Sequence, residues 1–145
     1  MSKDNLTSEI MIKKADVACS DARILLEQGS PDGATNRAYY AMFDAARAAL
    51  LASDVPVNIE KIRSHVGLVK TFSEHLVEKG PIPEEIGNLL DAARHMRGMT
   101  DYTGFSIEQN VAKEIVEQAE TFVAAIRAQF MPDTADDEDD TQTAK

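Results

Sequence analysis

Asn36-Arg37-Ala38-Tyr39-Tyr40-Ala41-Met42-Phe43-Asp44-Ala45-Ala46-Arg47-Ala48-Ala49-Leu50 decides the fold of this chain. Its side chains sort by the helical period and not by strand alternation. At about 100° per residue, Asn36, Tyr40, Phe43 and Arg47 fall within about 60° of one another. Asp44 lies close to that group, next to Arg37. Ala41, Ala45, Ala48 and Ala49 take another side, where small residues allow close approach of a neighbouring helix or of a second subunit. The polar and aromatic stripe suits a wall that binds a ligand. It equally suits a structural network in which Tyr40 and Asn36 satisfy a buried charge and Asp44 balances it.

That charge is supplied further along. From Ile86 to Asp101, Ile86, Leu90, Ala93, Arg97 and Asp101 share one helical face. Arg97 therefore occupies a core-facing position. A guanidinium keeps its proton, and a buried charge without acceptors costs several kcal/mol or more, on the order of the penalty for breaking a buried ion pair. The expectation is a polar pocket inside or beside a helix bundle. Asp101, four residues on, is placed to pair with Arg97 along the helix end, and Tyr102 follows it.

The rest of the chain is helical in pattern as well. A first helix is expected from about Ser8 to Gln28, with Met11, Ala15, Ala18, Ala22 and Leu25 as its packed stripe and Gly29 as its stop. Ser30-Pro31 starts the second helix, which reaches about Ser53. Ser53-Asp54-Val55-Pro56 breaks the pattern. A third helix begins between Asn58 and Ser64 and runs to Lys79, with Val66, Val69, Phe72 and Leu76 inward and Gly80-Pro81 as its stop. Pro83-Glu84-Glu85 opens a fourth, its acids at the positive end, which ends near Thr100. Tyr102-Thr103-Gly104-Phe105 reads as a loop. Ser106 and Gln109 have capping-box spacing and open a last helix to about Phe130, with Ile115, Ala119, Phe122 and Ile126 inward.

These five helical segments predict an all-α, antiparallel four-helix-type bundle over residues 1–132. Residues 133–145 read as an acidic disordered tail with no apolar residue larger than alanine. Of the net charge of −10, six acids and one lysine in the tail carry −5, which leaves −5 for the body. That balance argues against broad, sequence-independent binding to nucleic acid, though it leaves room for a local basic cleft. No apolar run approaches the roughly 18 residues of a membrane span, and Met1 to Asn5 is polar without a signal-peptide core. A cytoplasmic protein without membrane contact is expected.

Cys19 is the only cysteine, so no internal disulfide can form, and no Cys/His zinc pattern exists. Cys19 reads as a small packed residue. His95 is expected to face solvent, His75 to lie on the surface near a helix end, and His65 to cap or line the pocket. No metal site, phosphate loop or nucleophile elbow is seen, and no cofactor is expected.

Asn36-Arg37-Ala-Tyr39-Tyr40-Ala-Met-Phe43 with Ala46-Arg47-Ala-Ala-Leu-Leu51 resembles the second-helix signature of the HEPN domain. His65-Val-Gly67 and Phe72-Ser-Glu-His-Leu-Val-Glu-Lys-Gly80 are similar to the next block of its small stand-alone prokaryotic subgroup, the UPF0332-type proteins. Arg97 followed by Asp101-Tyr102 resembles the closing signature of that subgroup. These blocks span Ala15 to about Phe130. The resemblance implies a helical bundle, often dimeric, and a kinship with metal-independent ribonucleases that act as toxins, defence effectors or RNA-processing factors. It also implies a minimal nucleotidyltransferase as partner. The usual catalytic motif of the family is an arginine followed four to six residues later by a histidine. Here Gly98-Met-Thr-Asp101-Tyr102-Thr-Gly-Phe follows Arg97 and contains no histidine. Asp101 is an anion near pH 7, which repels a phosphodiester. Tyr102 loosely matches a tyrosine that some toxin relatives carry modified with AMP.

Three readings of function follow. In the favoured one a nucleotide or RNA binds an Arg97/Tyr40/Asn36 pocket, flanked by Arg37, Asp44, Arg47 and His65, in a toxin–antitoxin-like or defence module with a minimal nucleotidyltransferase. In the second the chain is a metal-independent endoribonuclease toxin with a non-standard motif built on Arg97 and Asp101, borrowing His65 from elsewhere in the dimer. In the third it is a structural adaptor without ligand. A homodimer through the alanine-rich helix is expected in each.

Overall fold

The computed structural model describes residues 7–103 and 106–131, and the side chains of all of these except 98–103. Among the described residues there are five α-helices and no strand: α1 (Ser8–Glu27), α2 (Pro31–Ala52), α3 (His65–Phe72), α4 (Glu84–Thr103) and α5 (Gln109–Phe130). The expected all-α bundle is what the chain forms. None of these helices is long and apolar enough to cross a membrane. The tail expected over 133–145 lies outside the described residues.

Local chemistry sets most boundaries. Thr7 caps α1, its Oγ1 accepting from the Ile10 amide at 3.1 Å. Gly29, at φ 77°, ends that helix. The Gly29 amide donates to the Leu26 carbonyl at 3.0 Å and the Ser30 amide to that of Leu25 at 2.9 Å. Those two bonds are the paired closure that a left-handed residue after a helix permits. Pro31 then occupies the first turn of α2, where its missing N–H has no partner to lose.

The central helix is α2. It packs most extensively on α1, next on α5, and also touches α3 and α4. Ala41, Ala45, Ala48 and Ala49 are completely buried, so the alanine face is filled from within the chain. A second subunit has no access to it, and the expected dimer through these alanines has no surface there. Small side chains bring helix axes close, which is how α2 supports neighbours on several sides. α1 and α5 run antiparallel. Arg23 forks onto Glu120 at 2.6 and 3.1 Å, and Arg127 pairs with Asp16. Ile115, Ala119, Phe122 and Ile126 are buried as expected.

Several local readings are corrected. Leu26 fills the place given to Leu25, which is only half-buried. The third segment is not one regular helix. Asn58 caps a single 3-10 turn, Ile59–Lys61, Ser64 caps α3 through a 2.9 Å bond from Gly67 N, and Ser73–Glu78 continues α3 as a wider π-helical turn. Within α3, Val66 is 57% exposed, and Leu68 is buried beside the expected Val69 and Phe72. Gly80 closes the turn where a Cβ would lie 2.7 Å from the Leu76 carbonyl oxygen. α4 continues to Thr103, through part of the expected loop.

The Ser106–Gln109 capping box does not form. Glu108 holds the N-cap position without a side-chain cap, and the Gln109 side chain donates to the Leu26 carbonyl at 2.7 Å. The Ile107 amide donates to Asp32 Oδ1 at 2.8 Å. Partners at the α1–α2 corner thus replace the local cap and fix where α5 begins.

Candidate functional site

α2, α3 and α4 meet around Tyr40. The helical period places Tyr40, Phe43 and Arg47 on one side of α2, and the start of α3 brings His65 against them. The His65 ring stacks on Phe43, with centroids 4.0 Å apart and planes at 23°. It also meets the Tyr40 ring edge-on at 6.0 Å. Arg97 arrives from α4. Its Nη1 donates to His65 Nδ1 at 3.3 Å, and its Nη2 makes a longer bond to Tyr40 Oη at 3.5 Å. The guanidinium carbon lies 5.6 Å from the Tyr40 centroid, and that of Arg37 lies 5.0 Å from the same centroid. Tyr40 is therefore a shared platform for two cations.

The electrostatics follow from this arrangement. Arginine has no acceptor, so its bond to Nδ1 requires His65 to accept there. The neutral ring then carries its proton on Nε2. Burial first, then Arg97 and Arg47, hold the His65 pKa below the ordinary histidine value. His65 is also the first residue of α3, where the helix dipole opposes a further positive charge. The result is a neutral imidazole that presents an N–H, beside a guanidinium and a tyrosine hydroxyl whose own proton is left to donate. These are donors in a cationic surround, suited to an anion with several oxygens.

Arg97 is half-buried at the rim of this cluster, not sealed in the core. Arg47 Nη1 donates to the Ile59 carbonyl at 3.2 Å, so it also holds the 3-10 turn against α2. Burial lowers the Arg47 pKa and nearby Asp44 works against that. Asp44 itself lies toward α1, in a groove with Lys14, Val17 and Arg37. Burial raises its pKa, which Lys14, Arg47 and Arg37 oppose. Asn36 is exposed, and its Oδ1 accepts from Arg37 Nη2 at 3.5 Å. The structure thus gathers Tyr40, His65 and Arg97, with Arg37 on the same ring and Arg47 behind, while Asn36 turns to solvent and Asp44 to α1. The side chains of Asp101 and Tyr102 lie outside the described residues.

Other chemistry is placed elsewhere. Burial, with Glu120 and Asp16 nearby, pushes the Cys19 thiol up to about 11, so it is a packed, unreactive group. His95 is exposed and engages the Asp91 carbonyl on its own helix at 3.0 Å. Among the described residues no cluster of His, Cys, Asp or Glu could hold a metal ion. Sequence reasoning missed the role of the Ile59 carbonyl; the apolar Ile59 after Asn58 was its only signal.

The chain is thus a helical bundle in which an arginine, a histidine and a tyrosine are drawn together from three helices. The HEPN domain model matches residues 8–129. The chain is 32% identical over 119 residues to a Methanocaldococcus jannaschii protein named "Putative toxin MJ0605", covering 82% of this chain and 85% of that one. It is 34% identical over 115 residues to a UPF0332 protein of Gloeobacter violaceus, covering 78% and 87%. A UPF0332 protein of Pyrococcus horikoshii is 33% identical over 104 residues, covering 72% and 68%. The chain belongs to the HEPN domain family, and its relatives carry the UPF0332 and toxin names.

Proposed function

We propose that this HEPN protein is the toxin-like member of a toxin–antitoxin-like or defence module and binds RNA phosphates at the Arg97–His65–Tyr40 cluster. One observation carries the reading: Arg97 bridges His65 Nδ1 and Tyr40 Oη, with Arg37 over the same ring. A phosphate placed there would meet two guanidiniums, a hydroxyl and the imidazole Nε2–H, while the Tyr40 face offers a base a surface to stack on. The names of the relatives support the toxin-like role. A minimal nucleotidyltransferase is the partner in this reading, and its gene beside this one is the observation to look for. Fluorescence anisotropy with a labelled single-stranded RNA tests binding. Arg97→Ala should weaken it at least about tenfold, and equal binding by that variant would remove the site.

A second reading, cleavage, is favoured by the Arg97–His65 pair. When Arg97 turns to a phosphate it releases Nδ1, and a neutral imidazole with a lowered pKa is then a base. Nδ1 takes the proton of a ribose 2′-hydroxyl. The freed oxygen attacks phosphorus and the bond to the 5′ oxygen breaks. That oxygen takes a proton from water, leaving a 2′,3′-cyclic phosphate and a 5′-hydroxyl. Metal-free protein with tRNA and mRNA should yield those ends, and His65→Ala should abolish them while RNA binding persists. Intact RNA after prolonged incubation leaves binding alone.

A further inference from the structure

The groove between α1 and α2 holds chemistry that the Arg97 cluster does not use. Lys14, Val17, Ala18 and Asp21 line it from α1, Arg37 and Asp44 from α2. Its cavity of about 320 Å³ falls at the small end of ligand sites, which occupy about 300–1,000 Å³. Val17, which is 60% exposed, and the buried Ala18 give it an apolar floor. Such a floor takes a flat ring, and the charged rims take the polar edge of that ring.

Asp44 selects among rings. Its carboxylate is half-buried. Among the described residues, Lys14, Arg47 and Arg37 act on it through their charge and none by a hydrogen bond. Lys14 acts most strongly of the three, so an ammonium stands on the same side of the groove. A carboxylate kept half out of water without a donor destabilises the fold, and the donors of a ligand would offset that cost. Its two oxygens match two neighbouring donors. Of the four RNA bases only guanine carries such a pair on its pairing edge, N1–H and the 2-amino group, with the acceptor O6 beside them. Asp44 suits the two donors and Lys14 suits O6. Adenine would turn the lone pair of N1 toward the carboxylate, cytosine that of N3, and uracil offers one N–H between two carbonyls.

We propose that this groove receives a guanine base, that of an RNA whose phosphate lies on Arg97, His65 and Tyr40. Single-stranded RNA is commonly read this way, through splayed-out bases held by their pairing edges. Tyr40 and Asp44 are four residues apart, about 6 Å along α2, a span that one nucleotide bridges between phosphate and base. Arg37 lines the groove and lies over the Tyr40 ring, so its guanidinium joins the two places. That the base belongs to an RNA rests on the function proposed above; the preference for guanine does not.

Fluorescence anisotropy of a short uridine-rich RNA carrying one central guanosine, inosine or adenosine tests it. The guanosine strand should bind about tenfold or more tighter than the adenosine strand. Inosine, which lacks the 2-amino group, should fall between them. Asp44→Asn should erase the difference between guanosine and adenosine. A carboxamide offers one acceptor and one donor, so this variant should instead favour xanthosine, whose 2-oxo group accepts where guanine donates. Lys14→Met should weaken the guanosine strand more than the adenosine strand. Equal binding of guanosine and adenosine strands by the wild type, or a guanosine preference that survives Asp44→Asn, would overturn the groove as a guanine site. Arg97→Ala should weaken every strand and keep their ratio. Strands unweakened by Arg97→Ala but still ranked by their base would sink the phosphate reading alone, and GMP should then shift the Val17 methyl resonances as far as the RNA does.

Discussion

Arg97 on α4 and His65 at the start of α3 meet through a hydrogen bond of 3.3 Å across 32 residues of sequence. The bond fixes the tautomer of His65 and disfavours its protonation, because an imidazolium would lose the bond and face a guanidinium. The pair gives this bundle an arginine and an imidazole side by side although no histidine follows Arg97 in the chain.

A pH dependence follows. The pKa of His65 is lowered in the fold by burial, Arg97 and Arg47. As pH falls below about 6.5 the unfolded chain takes up this proton first. Stability therefore drops from about pH 6.5 down to the folded pKa and is insensitive to His65 above 6.5. Urea unfolding at pH 7.5 and 5.5 should show this loss in the wild type and a smaller one in His65→Asn. By NMR, Arg97→Met should move the His65 titration upward.

Asp44 has the opposite sense. Burial raises its pKa despite Lys14, Arg47 and Arg37. The folded protein binds this proton more tightly, so ionisation costs stability as pH rises through the raised pKa and the cost persists at pH 7. Asp44→Asn should leave the thermal midpoint unchanged or raise it. A lower midpoint would mean that its ion pairs outweigh desolvation.

Gly29 holds φ 77° with nothing within 4 Å of a Cβ built on it. Gly29→Ala should therefore cost about 1 kcal/mol from backbone conformation alone. Gly29→Asn should cost less. Denaturant midpoints at constant m decide it.

Ala45 is completely buried within the chain. Ala45→Leu should destabilise by about 1–3 kcal/mol through overpacking. The same change at exposed Ala124 should stay within about 0.5 kcal/mol. Equal effects would mean that α2 is less tightly enclosed than its burial implies.

The residue types of the site were legible before the fold. Tyr40, Phe43 and Arg47 fall on one stripe by helical period, and Arg97 stands out as a charge on an inner face. Their partners were not legible. Asn36 shares the stripe yet lies a turn too early, and its side chain meets Arg37 at 3.5 Å. Asp44 is one residue off the stripe and so faces α1. The capping box failed because Gln109 found the Leu26 carbonyl, a partner 83 residues away that no local pattern reveals.

Sequence alone determined the helical class and most helix ends, because periodicity, Gly29, Ser30-Pro31 and Gly80-Pro81 act within one or two turns. Tertiary structure alone decided which faces meet. Whether the alanines of α2 receive a neighbour or a second subunit, where α3 gives way to its π turn, and which imidazole reaches Arg97 depend on how helices pack. That packing is set by side-chain volumes summed over the whole core, not by any single segment.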